Sequence, residues 1–130
     1  MIVFLVDDDE DDQEFFSMVL EEHFPSVRCA FANDGGKAIE KLKSDSAFTP
    51  QLILIDINMP RVNGIELLSE IKKIQRFQNS YIYMYSTSAD PSVVQQCMRL
   101  GAAGFIKKES TEEALQKRLS EIIQQFEFSQ

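Results

Sequence analysis

The stretch MIVFLVDDD, residues 1–9, joins an apolar run directly to three aspartates. The pattern returns in LILID, residues 52–56, and in GFIKK, residues 104–108, where the closing charges are basic. Short apolar runs bounded by polar residues predict buried β-strands. Parallel strands end at one edge of their sheet, and open α/β sheets bind ligands at that edge. The three runs therefore predict one site to which distant parts of the chain contribute.

Helical periodicity follows each apolar run, so that strands and helices alternate five times along the chain. Such alternation predicts βαβ units, an α/β fold and a parallel sheet. Right-handed units in succession predict a doubly wound domain with helices on both faces of the sheet. The predicted strands span residues 2–6, 27–32, 52–57, 81–85 and 104–107.

Capping signals predict the ends of the last two helices. Asp90 and Pro91 provide an N-cap and a proline at the first helical position, and Gly101 ends that helix. Ser110 and Glu113 form a capping box at the start of the last helix. These residues separate the two helices from the strands around them.

Length and charge limit the classes of function. At 130 residues the chain is predicted to form one domain, residues 1–130. The net charge of −8 argues against direct binding to nucleic acid or to an anionic membrane, and it favours a protein partner. Because no apolar run can span a bilayer and the first residues lack the features of a signal peptide, we expect a cytoplasmic protein. Cys29 and Cys97 have no metal-site spacing and are predicted to be buried, unpaired thiols.

Six acids follow the first predicted strand, over residues 7–12. Asp7 and Asp8 lie at the end of the strand itself, where neighbouring charges repel each other unless a cation neutralises them. The other four are interpreted as a helix start that faces solvent. Asp56 brings a third carboxylate to the same edge, and an all-oxygen cluster of this kind suits Mg²⁺. The sequence thus predicts a metal site formed by these three carboxylates.

A calcium-binding loop is a competing interpretation of the acidic run. Asp7, Asp9 and Asp11 match the first three ligand positions of such a loop. However, Asp12 stands where the loop needs a glycine, and Met18 stands where it needs a bidentate glutamate. The acidic run therefore does not form a calcium loop.

Four motifs occur together in the order and spacing of a known family. They are Val6-Asp7-Asp8, LIDINMP at residues 54–60, Ser86-Thr87, and GAAGFIKK at residues 101–108. On these motifs the chain resembles the receiver domains of two-component response regulators, of which the single-domain chemotaxis regulator is the best-known member. The resemblance covers essentially the whole chain. It implies a flavodoxin-like, five-stranded parallel sheet of order 2-1-3-4-5, and a phosphoprotein that acts in a signalling phosphorelay.

The resemblance implies that Asp56 is the phosphoacceptor, which takes a phosphoryl group from a sensor histidine kinase, a histidine phosphotransfer protein or a small acyl phosphate. It also implies that Mg²⁺ is bound by Asp8, Asp56 and the backbone carbonyl of Asn58. Asp7 would reach the metal mainly through water. Lys108 would pair with the Asp56 carboxylate and then with the phosphoryl oxygens. Such a protein is not an enzyme, because it catalyses only its own phosphorylation and dephosphorylation.

The conformational switch is likewise implied by the resemblance. Ser86 would donate its hydroxyl to the phosphoryl group, and Phe105 would turn inward as that hydroxyl moves. The face formed by the fourth helix, the fifth strand and the last helix would then bind a downstream protein target. The same face could join two copies of the chain in a homodimer.

Two assignments keep an alternative, and one residue departs from the family pattern. Lys107 adjoins Lys108 and Thr87 adjoins Ser86, so each pair allows a shift of one residue. Glu109 replaces the proline that usually follows the lysine in this family. A cis bond without proline costs about 2.5 to 4 kcal/mol, so we expect a trans peptide there.

Two other functions are compatible with parts of the pattern. A haloacid-dehalogenase-like phosphatase would use Asp7 as its nucleophile and Asp9 as its acid, although Asp11 stands where that family has threonine or valine. A receiver-like interaction module that accepts no phosphate would be expected to lack Asp56 or Lys108, and both are present. The receiver interpretation uses all of the motifs.

Overall fold

A computed structural model of the chain describes residues 1–59, 63–88 and 90–128, with the side chains of 127 and 128 left aside. Its five strands form one parallel sheet in the order β2-β1-β3-β4-β5. The strands are β1 (Ile2–Val6), β2 (Arg28–Ala32), β3 (Leu52–Asp56), β4 (Tyr81–Ser86) and β5 (Gly104–Lys107). The helices are α1 (Glu10–His23), α2 (Gly35–Ser44), α3 (Gly64–Lys72), α4 (Pro91–Arg99) and α5 (Glu112–Phe128), with a short 3₁₀ turn at Gln75–Phe77. The predicted fold class and strand order are confirmed.

The sheet is covered by helices on both faces, which explains why its central strands are apolar at consecutive positions. Phe4 and Val6 belong to a hydrophobic cluster that they share with α2, α3 and α4. Val3 and Leu5 belong to a second cluster that they share with α1 and α5. Successive side chains of one strand thus enter opposite cores, as the alternation of a β-strand requires.

The register of the strands determines where the charged residues lie. Val6 of β1 pairs with Ile55 of β3. Asp7 and Asp56 follow these two residues and therefore leave the sheet at the same edge. Lys108 follows β5, which runs parallel to β4 and so ends at this edge as well. The side chains of Asp7, Asp56 and Lys108 therefore lie at one edge of the sheet.

The ends of α4 agree with the prediction. The Asp90 carboxylate accepts a hydrogen bond from the backbone N–H of Ser92 at 3.0 Å, and Pro91 is the first helical residue. Gly101, just beyond the helix, has a φ of +110°. This left-handed conformation favours glycine, so the residue ends the helix.

The start of α5 differs from the prediction. The helix begins at Glu112, one residue later than a cap at Ser110 requires. The Thr111 hydroxyl accepts a hydrogen bond from the backbone N–H of Ala114 at 3.2 Å. The predicted capping box between Ser110 and Glu113 is therefore wrong. Thr111 is the cap, and the third helical residue is then Ala114, whose methyl side chain cannot accept the second hydrogen bond of a capping box.

Strand β4 is one residue longer than predicted and is not buried throughout. It continues to Ser86, and its first residue, Tyr81, is 44% exposed. The Tyr81 ring packs edge-on against Phe126 near the end of α5, with ring centroids 4.9 Å apart. Tyr81 is at the amino end of β4, whereas the charged residues follow the carboxyl ends of the strands. The exposed end of β4 therefore lies at the edge of the sheet opposite to the charged edge.

The two cysteines do not form a disulfide with each other. Cys97 is buried and Cys29 is half-buried, and both are free cysteines. Burial raises the pKa of Cys29 to about 12, so this thiol stays neutral. Within the described part of the chain, no helix has the length and apolar composition needed to cross a membrane.

Candidate functional site

The Asp56 carboxylate is the centre of the candidate site. Asp56 is the last residue of β3 and is only 5% exposed. Its Oδ1 accepts a hydrogen bond from the backbone N–H of Asn58 at 3.0 Å. Its Oδ2 accepts one from the Lys108 ammonium at 3.3 Å. Both oxygens thus have donors that fix the orientation of the carboxylate.

Asp7 and Asp8 lie beside Asp56 but differ in exposure, since Asp7 is fully buried and Asp8 is exposed. Asp7 Oδ1 accepts a hydrogen bond from the Asp9 backbone N–H at 2.9 Å, whereas Asp7 Oδ2 lies 3.0 Å from the Lys108 ammonium without the geometry of a hydrogen bond. Burial raises the pKa of Asp7 to about 6, although the Asp9 N–H and the Lys108 ammonium act in the opposite direction. One carboxylate oxygen from each of Asp7, Asp8 and Asp56 lies within 4.8 Å of the other two.

The Lys108 ammonium contacts three carboxylates at once. Its Nζ lies 2.7 Å from Asp12 Oδ2, 3.0 Å from Asp7 Oδ2 and 3.3 Å from Asp56 Oδ2. Burial alone lowers the pKa of Lys108, but the carboxylates of Asp12 and Asp7 outweigh this effect and raise it above its usual value. The neighbouring Lys107 is exposed. Of the two lysines, Lys108 is therefore the one that contacts the carboxylates.

Asp12 contacts this site, although its position in the acidic run predicted a side chain that faces solvent. Its side chain is 36% exposed and reaches Lys108 from the first turn of α1. The helical period contained a signal for this contact, because Asp12 precedes the buried Phe16 by four residues and so shares its face of α1. Asp9, by contrast, is the N-cap of α1, where its carboxylate accepts hydrogen bonds from backbone N–H groups including that of Asp11. Only part of the acidic run is thus directed at solvent.

Ser86 is a buried hydroxyl at the end of β4, next to the exposed Thr87. Its Oγ donates a hydrogen bond to the backbone carbonyl of Ser88 at 2.8 Å. It also accepts one from the side-chain amide of Asn58 at 3.4 Å, which links the loops after β3 and β4. The hydroxyl must leave the Ser88 carbonyl before it can donate to a group on Asp56.

Phe105 lies on β5, where it is half-buried against the cluster shared with α2, α3 and α4. The described peptide bonds include no cis bond, so the bond between Lys108 and Glu109 is trans, as predicted. Pro60 of the family motif lies outside the described residues, as do residues 61–62.

The donor set at the sheet edge suits a small divalent cation. Asp7, Asp8 and Asp56 bring three carboxylates together, and the buried Oδ2 of Asp7 makes no hydrogen bond of regular geometry, although the Lys108 ammonium lies 3.0 Å away. Mg²⁺ prefers oxygen ligands, binds through few protein groups and keeps several waters. The exposed side of Asp8 leaves room for such waters. The residues present therefore fit Mg²⁺.

A sheet edge arranged in this way is typical of signalling receiver domains. The chain belongs to the response regulator receiver domain family, whose model matches residues 3–120. The chemotaxis protein CheY of Bacillus subtilis is 35% identical over 103 residues, which cover 75% of this chain and 80% of that protein. CheY of Halobacterium salinarum is 27% identical over 121 residues, covering 93% and 95%. DegU of Brevibacillus brevis, a transcriptional regulatory protein, is 35% identical over 98 residues, but the match spans only 39% of its length.

Solved structures lead to the same family. The phosphorylated cyanobacterial phytochrome response regulator RcpA has a TM-score of 0.82 at 26% identity, covering 93% of this chain and 89% of that chain. The Vibrio cholerae chemotaxis protein CheY4 has a TM-score of 0.80 at 26% identity, covering 92% and 96%. A further response regulator, in its Mn²⁺-bound form, has a TM-score of 0.78 at 25% identity, covering 93% and 90%. The predicted family and its two-component class are confirmed.

Proposed function

We propose that Asp56 of this receiver accepts a phosphoryl group from the phosphohistidine of a sensor histidine kinase or of a histidine phosphotransfer protein, or from a small acyl phosphate. The observation that carries the proposal is the Asp56 carboxylate itself, which is buried at a strand end and paired with Lys108. Carboxylates act as nucleophiles in several classes of phosphoryl-transfer protein. The phosphorylated state of the similar protein RcpA is consistent with this role.

In the proposed reaction an Asp56 oxygen attacks phosphorus, a bond forms between them, and the bond from phosphorus to the donor atom breaks. The incoming group is negatively charged, and it meets three carboxylates. Lys108 would then contact the phosphoryl oxygens and offset part of this charge. Bound Mg²⁺ would offset the remaining negative charge, as divalent cations do in phosphoryl transfer generally. The protein would thus catalyse its own phosphorylation and dephosphorylation, and no other reaction.

The proposed metal ligands are the Asp8 and Asp56 carboxylates and the backbone carbonyl of Asn58, with Asp7 acting mainly through water. Asp7 is the most buried of these groups, and its Oδ2 lies near the Lys108 ammonium without a hydrogen bond of regular geometry, so an ordered water or the metal would give this oxygen a better partner. The Mn²⁺-bound response regulator of similar fold supports a divalent cation in this class of site.

Phosphorylation would act on partners through Ser86 and Phe105. A phosphoryl oxygen on Asp56 competes with the Ser88 carbonyl for the Ser86 hydroxyl, because charged acceptors form the stronger hydrogen bonds. Movement of Ser86 would let the half-buried Phe105 turn inward. The surface of α4, β5 and α5 would then bind a downstream protein or a second copy of the chain, and the net charge of −8 disfavours nucleic acid and membrane as targets.

The rival phosphatase requires Asp9 to donate a proton to the leaving group. The Asp9 carboxylate instead accepts hydrogen bonds from the backbone N–H groups of Asp11 and Asp12. A carboxylate engaged as a helix cap is poorly placed for general acid catalysis at another site. This observation favours Asp56 over Asp7 as the nucleophile.

Intact-mass spectrometry after incubation with Mg²⁺ and acetyl phosphate tests the proposal. We expect the wild type to gain the mass of one phosphoryl group and Asp56→Asn to gain none. Asp11→Asn removes the same charge from an exposed position and should behave as the wild type. The phosphatase alternative expects the reverse, with the covalent adduct lost in Asp7→Asn and kept in Asp56→Asn. An Asp56→Asn protein that is still phosphorylated would overturn the proposal.

A further inference from the structure

The shortest contact of the Lys108 ammonium is with Asp12 and not with the proposed phosphoacceptor. Its hydrogen bond to Asp12 Oδ2 measures 2.7 Å, compared with 3.3 Å to Asp56 Oδ2. The three carboxylates that converge to a possible metal site are those of Asp7, Asp8 and Asp56, and Asp12 is outside this cluster. The lysine therefore has one acidic partner that a bound metal would leave free.

A divalent cation at this cluster would change the partners of Lys108. Without the metal, the ammonium offsets the charges of Asp7 and Asp56 at 3.0 and 3.3 Å. A metal held by these carboxylates repels the ammonium, because like charges a few ångströms apart in a partly buried site interact unfavourably. Of the three carboxylates that contact Lys108, Asp12 alone would then retain its full attraction for the lysine.

The packing of α1 supports this role for Asp12. The residue lies in the first turn of α1, on the same face as Phe16. The Phe16 ring packs against Tyr85 of β4, with centroids 6.1 Å apart, and Phe16 is fully buried. With Phe16 buried against Tyr85, the Asp12 carboxylate on the same face of α1 is directed toward the lysine.

We propose that Asp12 is a positioning residue that holds the Lys108 ammonium at the site while a metal ion occupies the neighbouring carboxylates. Both cations would then be in place when the phosphoryl group arrives. Asp12 itself contacts neither the metal nor the phosphoryl group and acts only through Lys108. The inference rests on the proposed phosphorylation of Asp56.

The role predicts that Asp12 and the metal are coupled through the lysine. In Asp12→Asn, the Lys108 ammonium loses its charged partner outside the metal cluster. Moving the ammonium away from Asp7 and Asp56 then requires more free energy, so Mg²⁺ binds less tightly. Asp11→Asn is the matched control, because Asp11 is exposed in the same turn, carries the same charge and is not an ion-pair partner of Lys108 in the described chain. Asp12→Glu keeps the charge and should bind Mg²⁺ nearly as the wild type does.

Isothermal titration of the full chain with Mg²⁺ tests the proposal in two backgrounds, wild type and Lys108→Met. With Lys108 present, we expect the Kd of Asp12→Asn to exceed that of Asp11→Asn by on the order of fivefold, the lower range of energetic coupling between sites. In the Lys108→Met background this ratio should fall to about one. Equal Kd values with Lys108 present would overturn the proposal. A ratio that persists without Lys108 would overturn it as well, because Asp12 would then act on the metal directly.

Intact-mass measurement on the same samples separates this inference from the proposed function. A wild type that binds Mg²⁺ and is phosphorylated on Asp56, with equal Kd values for Asp12→Asn and Asp11→Asn, refutes only the role of Asp12. The opposite result is also informative. If the Kd values of Asp12→Asn and Asp11→Asn differ as expected but Asp56 of the wild type accepts no phosphoryl group, the link from Asp12 to Lys108 is supported and the proposed function is refuted.

Discussion

The α-carbon of Gly64 lies directly against the backbone of Asp56. A β-carbon on Gly64 would stand 2.5 Å from the Asp56 carbonyl oxygen and 2.8 Å from the α-carbon of Ile57. The Gly64 N–H donates a hydrogen bond to the Ile57 carbonyl at 3.1 Å. The glycine thus allows α3 to begin against the segment that carries the Asp56 carboxylate.

We expect Gly64→Ala to lower the free energy of unfolding by about 1 to 3 kcal/mol, because rigid backbone atoms surround the added methyl group. Gly36→Ala is the matched control: its β-carbon would meet Asp34 Oδ1 at an ordinary 3.4 Å, and alanine favours the helix. Urea unfolding followed by circular dichroism measures both variants. If Gly64→Ala were as stable as Gly36→Ala, the close approach to Asp56 would be contradicted.

Asp7 makes the stability of the metal-free protein depend on pH. Burial raises its pKa to about 6 in the folded chain, whereas an unperturbed aspartate has a pKa of about 3.9. Between these values the folded state binds more protons than the unfolded state. Asp7 therefore contributes stability that is fully present below a pH of about 4 and is lost as the pH rises through about 6. The difference between a pKa of about 6 in the folded chain and about 3.9 in the unfolded chain corresponds to about 3 kcal/mol of unfolding free energy.

In the presence of EDTA, Asp7→Asn should accordingly be more stable than the wild type at neutral pH, by up to about 3 kcal/mol. The difference should shrink as the pH falls toward about 4, because the wild-type carboxyl becomes neutral there. Unfolding free energies of the two proteins across this range provide the measurement, with Asp11→Asn as the control for loss of an exposed charge. A difference that does not vary with pH would show that Asp7 is not the titrating group.

Mg²⁺ should raise the melting temperature of the wild type, because it binds the folded cluster and relieves the repulsion among Asp7, Asp8 and Asp56. A free concentration of about 100 times the Kd stabilises the folded state by about 2.7 kcal/mol. Differential scanning fluorimetry with and without millimolar Mg²⁺, at constant ionic strength, measures the shift. Asp8→Ala should lose most of the rise. An unchanged wild type, or an equal rise in Asp8→Ala, would count against a metal site at this edge.

The resemblance to the receiver family distinguished Lys108 from Lys107, whereas hydrophobicity alone predicted the positions of Asp7 and Asp56, because it shows where a buried strand ends. Parallel strands then bring those ends to one edge whatever the details of packing. The ends of the strands do not predict the contact from Lys108 to Asp12, whose signal in the sequence is the four-residue spacing between Asp12 and Phe16. The contact depends on the rotation of α1 about its axis, which the burial of Phe16 against Tyr85 determines.

The start of α5 was mispredicted for a related reason. Ser110 and Thr111 are adjacent and both can cap a helix, so local sequence leaves two starts. The structure distinguishes them by one contact, the hydrogen bond from the Ala114 backbone N–H to the Thr111 hydroxyl. A capping motif in the local sequence does not distinguish between two adjacent residues that can both cap a helix.

Ser86 ends β4, and Phe105 lies on the adjacent strand β5. The Ser86 hydroxyl donates a hydrogen bond to the Ser88 carbonyl at 2.8 Å, and a stronger acceptor on Asp56 would have to compete for it. Beryllofluoride, a phosphate mimic, would provide that acceptor together with Mg²⁺.

We expect hydrogen exchange with and without beryllofluoride to change most over residues 90–100 and 104–108, because movement of Ser86 and Phe105 alters the packing of α4 and β5. Ser86→Ala should bind the mimic but lose most of this change, since it has no hydroxyl to transfer. Thr87→Ala, which removes an exposed neighbouring hydroxyl, should respond as the wild type does. If protection in the wild type changes only over residues 7–10 and 56–59, the mimic binds without switching the protein. The partner surface would then lie outside α4, β5 and α5.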